Sequence, residues 1–486
     1  MISASSLLII AAGYFALLLL LSYLTSKNQS NDAFFRGNRK SPWWAVAFGM
    51  IGASISGVTF VSVPGMVEAS AMSYIQMCMG FLVGYPLVAF VLLPLYYKMN
   101  LTSIYSYLND RFGTIPYQTG SLFFFFSKLI GACIRLFLVV SILQWLIFDK
   151  IGIPFHASTG IMLLLMWLYT RKSGIRTIVW SDCLQTLILL SALLLILYQL
   201  CSQLGWGIAD AVHQVKENSM SRIFFLDDPN SKQYFWKQFV SGIFVVVVMT
   251  GLDQDSMQKN LTCKTLRESQ LNMCVNGFFY LPVNLLFMSL GIIMMMYVQK
   301  TGLELPMGDQ LLPSLCGEGY LGNAALISFT LGIIAAAFSS ADSALASLTT
   351  TLCIDIFKRP SDEKLRKWIH PLVALSFYVF ILIVKALNNT SVIDAVYTVC
   401  GYTYGPLLGL FAFGLLTKRQ PMAKWVPVIC IVAPLLCYAA DTYMLREFGY
   451  KFGYELLVCN GLLTFLMLLV SSSKFGTNNT GGNGHV

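Results

Sequence analysis

Apolar stretches about as long as a membrane is thick recur through the chain from Ser6 to the 470s. A hydrocarbon core of about 30 Å needs roughly 20 apolar residues per helical span. Hydrophobic residues make up 56% of the sequence and charged residues only 11%, which would leave a water-soluble domain with large exposed apolar patches. The sequence therefore predicts an all-α polytopic membrane protein whose solvent is the lipid bilayer.

Hydropathy places about thirteen membrane-spanning helices along the chain, with boundaries good to a few residues. The first of them lacks the basic flank and cleavage site of a signal peptide, so we expect it to be retained. The Gly- and Asn-rich residues 475–486 are expected to form a disordered cytoplasmic tail. The predicted spans are 6–25, 42–66, 71–97, 118–148, 155–171, 175–203, 234–256, 269–298, 321–354, 369–387, 391–416, 424–444 and 454–472.

Loops rich in lysine and arginine alternate with loops poor in them along this series of spans. Every second loop, starting with the first, is basic, and Lys259 is counted in the basic loop after the seventh span. The positive-inside rule then predicts a multi-pass plasma-membrane protein, in a bacterium an inner-membrane one, with its N-terminus outside and its C-terminus in the cytoplasm. The net charge of +9 lies in these loops, so no nucleic-acid partner is predicted. No obligatory protein partner is predicted either.

The second span is interrupted by small and polar residues between Gly49 and Gly65. It contains further glycines, four Ser or Thr hydroxyls and a Pro64-Gly65 pair. Small residues in a membrane helix permit close packing against a neighbour, which is one interpretation. The other is a broken helix whose freed carbonyls line a cavity and bind a cation. The residues alone leave both open.

The ninth span carries hydroxyls on one helical face. Ala336, Ser339, Ser340 and Ser343 lie three or four residues apart, and Asp342 adds a carboxylate beside them. Hydroxyl and carbonyl oxygens are hard donors that suit an alkali cation. The same face can instead serve as a contact between helices.

Three ionisable residues lie at bilayer depth, where a charge is costly and usually functional. Arg135 lies about seventeen residues into its span, which favours a buried role, whereas Asp182 is near enough to a span end to be interfacial. Asp342 lies within the ninth span. Asp253 and Asp255, near the end of the seventh span, are candidates for helix caps or for an inner gate. We find no nucleophile–base pair, metal constellation or phosphate loop, so an enzyme is not predicted.

Five short motifs, in order along the whole chain, resemble the sodium/solute symporter family, which includes bacterial sodium/galactose, sodium/proline and sodium/sialic acid symporters. They are Ala53-Ser-Ile-Ser-Gly57, Trp180-Ser-Asp-Cys-Leu-Gln185, Gly251-Leu-Asp-Gln-Asp-Ser-Met-Gln258, Ala336-Ala-Phe-Ser-Ser-Ala-Asp-Ser343 and Gly405-Pro-Leu-Leu-Gly-Leu-Phe411. The resemblance implies the leucine-transporter fold in one transporter domain, residues 1–474. Two inverted five-helix repeats, 42–203 and 234–416, would follow the extra first helix 6–25 and precede two further helices, 424–472.

The resemblance also implies where ions and substrate bind. A general sodium site would use the carbonyls of three residues and the hydroxyls of two, namely Gly52, Ile55, Ala336, Ser339 and Ser340. A second sodium site, found in the sialic acid branch, would use Asp182, Ser339 and Ser343, with Asp342 standing where that branch has a serine. Substrate would be held by Ser56, Thr59, Gln76 and Arg135. The expected coupling ion is Na⁺, one or two per cycle.

The expected function is therefore sodium-coupled secondary active import of a small polar solute by alternating access. Since an arginine can bind a carboxylate through two hydrogen bonds, Arg135 favours sialic acid or another organic acid. Two alternatives stay open at this point. One is a sodium/sugar or other neutral-solute symporter, and the other is a proton-coupled symporter of the same fold.

Overall fold

The computed structural model describes residues 3–25, 30–171, 174–387 and 392–473. The predicted tail, 475–486, lies outside these described residues. The helices that fill the predicted spans are, in chain order, α1 (Ala4–Thr25), α2 (Trp43–Ser54), α3 (Gly57–Gly65), α4 (Tyr74–Lys98), α5 (Thr114–Ile151), α6 (Phe155–Thr170), α7 (Ile175–Leu204), α8 (Phe235–Gly251), α9 (Gln254–Asn260), α10 (Leu266–Thr301), α11 (Gly322–Ile356), α12 (Glu363–Leu387), α13 (Val392–Thr403), α14 (Gly405–Leu416), α15 (Val426–Phe448) and α16 (Leu456–Val470).

Shorter elements connect these helices. The connecting helices are Asn31–Arg36, Val67–Ser70, Ser106–Phe112, Ile208–Glu217 and Leu311–Gly317. Two strands of two residues, β1 (Gln420–Pro421) and β2 (Ser472–Ser473), pair antiparallel with Gln420 opposite Ser473. They tie the end of α16 to the segment that follows α14.

The number of helices able to cross a membrane depends on how bent helices are counted. Within the described ranges, eight helices are long and apolar enough, and the number rises to 11 if each of three bent pairs is one span. The shorter apolar helices α6 and α16 lie where the remaining two spans are predicted. The polytopic helical architecture is thereby confirmed, whereas the count of thirteen stays a prediction.

The second predicted span is broken in its middle. Ile55 leaves the helical region (φ −91°, ψ 81°) and Ser56 is extended (φ −71°, ψ 171°) before the helix resumes. The axes of α2 and α3 differ in direction by 49°, and the seventh predicted span bends by 68° between α8 and α9. Because each break frees backbone carbonyls at membrane depth, they must line a cavity or be buried in protein.

Glycines let α2 approach α7 closely, and α7 packs along α11. A Cβ on Gly49 would lie 2.8 Å from the Cβ of Asp182, and a Cβ on Gly52 would collide with Thr186. The first residue of α3, Gly57, lies against α11, since its Cβ would be 3.8 Å from the backbone nitrogen of Ala337. The break, α7 and α11 are therefore packed as one unit.

Candidate functional site

A cavity of about 140 Å³ lies beside the break between α2 and α3, and α4, α5, α8, α9, α10, α11 and α13 complete its wall. Three of the four predicted substrate residues, Ser56, Thr59 and Arg135, line this cavity, as does Ser340 of the predicted sodium site. Aromatic rings cover much of the remaining surface. They belong to Tyr74, Phe81, Tyr85, Tyr280, Tyr397 and Tyr404. The cavity thus offers hydroxyls, a cation and ring faces to a small polar solute.

Arg135 is the cation of the cavity that no carboxylate neutralises. It lies on α5 and is half-buried, and within the described ranges its guanidinium has neither a hydrogen bond nor an ion pair. Lys128, seven residues earlier on the same helix, is paired with two carboxylates. Since a cation at membrane depth is costly without a partner, the guanidinium is suited to an anion that enters the cavity.

Gln76 does not line the cavity in this structure. Its side chain is buried and forms hydrogen bonds with backbone groups of the long connection between α7 and α8. The amide nitrogen donates to the carbonyls of Ser73 (3.2 Å) and Gln233 (2.8 Å), and the amide oxygen accepts from the Phe225 N–H (3.0 Å). The amide nitrogen and the amide oxygen are both bonded within the chain, so this structure does not bring Gln76 together with the cavity residues Ser56, Thr59 and Arg135.

The residues predicted for the general sodium site lie on the two elements that meet at the break. Ile55 is the residue where helical geometry is lost, one turn after Gly52. On α11, the Ser340 hydroxyl donates to the carbonyls of Ala336 (3.3 Å) and Ala337 (3.1 Å). A hydroxyl that donates its hydrogen keeps lone pairs free for a cation. Hydroxyl and carbonyl oxygens are donors that suit an alkali cation, so this set stays the predicted general sodium site.

The residues predicted for the second sodium site lie where α7 packs on α11. Asp182 and Asp342 are 1% and 0% exposed. Ser339 donates to Asp182 Oδ1 at 2.6 Å, and Ser343 donates to the Ser339 carbonyl at 2.9 Å. Tyr169 of α6 donates to Asp342 Oδ2 at 2.7 Å, whereas Asp342 Oδ1 has no hydrogen-bond partner within the described part of the chain.

Lys259 is the residue of this region that the sequence did not identify. It was counted as a loop residue, but the structure buries it in α9 at 3% exposure. Its ammonium lies 2.8 Å from Asp182 Oδ2, and its side chain also lines the cavity. The ion pair therefore joins the cavity wall to the predicted second sodium site. When a lysine directly follows a span, the sequence does not show whether it lies in an exposed loop or is buried.

Lys128 forms a second buried ion-pair cluster with Asp253 and Asp255. The ammonium is 3.0 Å from Asp253 Oδ2 and 2.7 Å from Asp255 Oδ2, and Tyr404 donates to Asp253 at 3.0 Å. Asp253 also caps α9, because its Oδ1 accepts from the backbone N–H groups of Asp255 and Ser256. Of the roles left open for Asp253, the structure shows the helix cap. The cluster fixes the break between α8 and α9 to α5.

The chain is similar in sequence to known membrane transporters. Residues 34–422 match the sequence profile of the sodium:solute symporter family. The chain is 26% identical over 460 residues to the sodium/sialic acid symporter SiaT of Proteus mirabilis, covering 89% of this chain and 88% of the relative. It is 26% identical over 434 residues to the sodium/iodide cotransporter of Homo sapiens, covering 83% of this chain and 65% of that one.

The fold is shared with a solved structure of a Na⁺-coupled sialic acid symporter in a substrate-bound outward-open state. The TM-score is 0.81 at 21% identity, over 96% of this chain and 99% of the other. The polytopic helical architecture with its broken spans is therefore the leucine-transporter fold expected from the sequence.

Proposed function

The chain belongs to the sodium:solute symporter family, and from this premise we propose that it imports a carboxylate-bearing solute together with Na⁺. The proposed solute is sialic acid or another small organic acid. Ser56 and Thr59 hold its hydroxyl or amide groups, and Arg135 holds its carboxylate. Gln76 is left out of the proposed substrate contacts because its amide is already bonded.

The guanidinium of Arg135 carries this proposal. Two hydrogen bonds from one arginine fit a carboxylate in both charge and shape. A neutral sugar would leave that charge without a counter-ion at membrane depth. The solutes in the names of the two similar proteins, sialic acid and iodide, are both anions, which supports the same choice.

Sodium at the general site would link the break to α11. Its ligands are the carbonyls of Gly52, Ile55 and Ala336 and the hydroxyls of Ser339 and Ser340. An ion bound there favours the conformation in which α2, α3 and α11 are held together, with the neighbouring cavity formed. Since a ligand shifts a conformational equilibrium only by its differential affinity, ion and solute each stabilise the state that binds the other.

Alternating access then moves the sodium ion and the solute across the membrane. The repeats 42–203 and 234–416 each begin with a broken span, which supports inverted repeats that rock about a central site. We place the N-terminus outside and the C-terminus in the cytoplasm of the plasma membrane. With a membrane potential that is negative inside, inward movement of each sodium ion is favoured by about 2.3 kcal/mol per 100 mV.

A thermal-shift screen of the purified protein tests this proposal. Sialic acids, small carboxylates, amino acids and neutral sugars are compared in sodium and in choline at equal ionic strength. We expect an acid to raise the Tm in sodium only, because ion and solute stabilise one state. A neutral sugar with the larger effect would overturn the anionic assignment. Equal stabilisation in choline would overturn sodium linkage.

A further inference from the structure

A groove of about 430 Å³ lies between α6 and α12, apart from the cavity beside the break. Two of its leucines, Leu164 and Leu375, are 54% and 57% exposed. Since both helices fill predicted membrane spans, these exposed side chains contact lipid, and the groove opens sideways to the bilayer. The wall is mostly apolar, and its residues include Gly160, Leu164, Trp167, Pro371, Leu375 and Tyr378.

The helices α6 and α12 run antiparallel along the groove. Gly160, near the start of α6, lies opposite Tyr378, because a Cβ on that glycine would be 3.8 Å from Tyr378 Cε2. At the end of α6, the Thr170 hydroxyl is 3.0 Å from His370 Nε2, near the start of α12. The end of α6 and the start of α12 therefore meet at one membrane surface. In the orientation proposed above, this surface is the cytoplasmic one.

Two exposed cations continue the walls of the groove at that surface. Arg171 follows Trp167 by four residues, and Lys367 precedes Pro371 by four residues. Residues four apart lie on the same face of a helix, so each cation is one turn beyond the groove on the face that lines it. The groove is thus apolar along its length and positively charged at its cytoplasmic end.

The acidic residues nearby do not cancel this charge. The start of α12, residues 362–367, carries two acidic and three basic side chains, so that Arg171 brings the excess at this end to two positive charges. Lys367 is 3.8 Å from Glu363, in a surface pair whose residues are both about half exposed or more. A loose pair of this kind contributes little and leaves the ammonium available to another anion.

Trp167 joins the charged end to the apolar part of the groove. The Arg171 guanidinium lies over its ring, 5.0 Å from the ring centroid. Its indole Nε1 is buried and has no hydrogen-bond partner in the part of the chain that the structure describes. Tryptophan is typical of the membrane interface because its ring is apolar and its N–H requires an acceptor. An acceptor belongs about one helical turn, 5.4 Å, deeper than the cations.

We propose that this groove binds one anionic glycerophospholipid. An acyl chain lies between α6 and α12, an ester oxygen accepts from Trp167, and the phosphate is held by Arg171 and Lys367. Basic residues at the cytoplasmic end of membrane helices attract anionic headgroups in this way. A phosphatidylethanolamine brings its own ammonium to the same cations and gains less. The groove is separate from the solute cavity, so the inference does not depend on which solute is carried.

The first test is native mass spectrometry of the delipidated full-length protein. It is titrated with phosphatidylglycerol and with phosphatidylethanolamine of identical acyl chains. We expect the first phosphatidylglycerol to bind more tightly than the first phosphatidylethanolamine. Its Kd should rise about fivefold in Arg171→Gln and in Lys367→Gln, since each removes one interfacial cation. Both side chains are exposed, so neither variant should impair folding.

Lys98→Gln is the matched control. This exposed lysine ends α4 at the same membrane surface in the proposed orientation, and α4 does not line the groove. Its Kd for phosphatidylglycerol should equal that of the wild type. Equal Kd values for Arg171→Gln and Lys98→Gln, or for the two lipids on the wild type, would overturn the proposal.

The second test locates the acyl chain. Phosphatidylglycerol with brominated chains quenches nearby tryptophans, and we expect Trp167→Phe to lose part of the quenching that the first bound lipid causes. Unchanged quenching would place the lipid elsewhere. Gly160→Leu fills the groove beside Tyr378 and should weaken phosphatidylglycerol binding while both cations remain. A protein dimer that Gly160→Leu dissociates would assign the groove to a second copy of this chain and overturn the lipid site.

Discussion

Ser339 donates a 2.6 Å hydrogen bond to Asp182, and the bond joins α11 to α7 between residues predicted for the two sodium sites. The Ser339 hydroxyl is predicted to be a ligand of the general site and of the second one. Its loss should therefore affect both ions at once.

Ser339→Ala should raise the sodium concentration for half-maximal uptake by about tenfold or more, since a hydrogen bond to a charged group is worth about 1.5–3 kcal/mol. Sodium titration of uptake at saturating solute measures this. Ser347→Ala is the control, because that buried hydroxyl two turns along α11 donates to the carbonyl of Ala344. Equal effects of the two variants would contradict a ligand role for Ser339.

Arg135→Gln should raise the KM for an acid solute by roughly 10- to 150-fold, the cost of losing charge-assisted hydrogen bonds. The neutral amide of the same acid should be transported equally by wild type and variant. The KM of Arg135→Lys for the acid should lie between those of the wild type and Arg135→Gln. Lysine keeps the positive charge but cannot form the two parallel hydrogen bonds of a guanidinium. If the variant discriminates acid from amide as well as the wild type does, the carboxylate contact is wrong.

Lys128→Met should destabilise the protein by about 3–5 kcal/mol, because it leaves Asp253 and Asp255 buried without their ammonium. The Tm in detergent measures the change. Lys367→Met is the comparison, since the exposed Lys367–Glu363 pair at 3.8 Å is worth about 0–1 kcal/mol. A Tm of Lys128→Met close to that of Lys367→Met would show that the cluster does not hold the break in place.

Gly52→Ala should lower both the Tm and the sodium affinity, because the added Cβ collides with Thr186 and pushes α2 away from α7. Gly13→Ala on α1 is the control, since a Cβ there meets no atom within 4 Å. The two variants are compared by thermal shift with and without sodium. An unchanged sodium affinity in Gly52→Ala would place the ion away from this turn.

Gln76→Ala should leave the KM for the solute unchanged and lower the Tm, because it removes the bonds to Gln233 and Phe225 that hold the connection between α7 and α8. Uptake kinetics and thermal shift on one preparation separate the two effects. A raised KM at an unchanged Tm would restore the substrate role that the family resemblance implies for Gln76.

The sequence predicted most of the fold because a membrane helix must be long and apolar. Small residues and hydroxyls between Gly49 and Gly65 made a broken helix one of two interpretations of the second span, and the structure shows the break at Ile55 and Ser56. Helical spacing placed Ser339, Ser340 and Ser343 on one face, and the structure turns that face toward Asp182 and the break. These are local properties, readable along one helix at a time.

Partners across helices could not be predicted in this way. Lys259 follows the seventh span as a loop lysine would, and its burial depends on the bend after Asp253. Lys128 is one lysine in a long span, with no sequence signal for the two carboxylates it binds. For Gln76, the family resemblance implied a solute contact, and its hydrogen-bond partners in this structure, Gln233 and Phe225, lie about 150 residues further along the chain.

Uptake of radiolabelled sialic acid into proteoliposomes, with an inward sodium gradient at equal pH on both sides, tests the central claim most directly. We expect concentrative uptake that stops when choline replaces sodium and that is strongly reduced in Arg135→Gln. Other acids found by thermal shift can be assayed in the same way. Uptake that an inward proton gradient drives equally well without sodium would contradict sodium coupling.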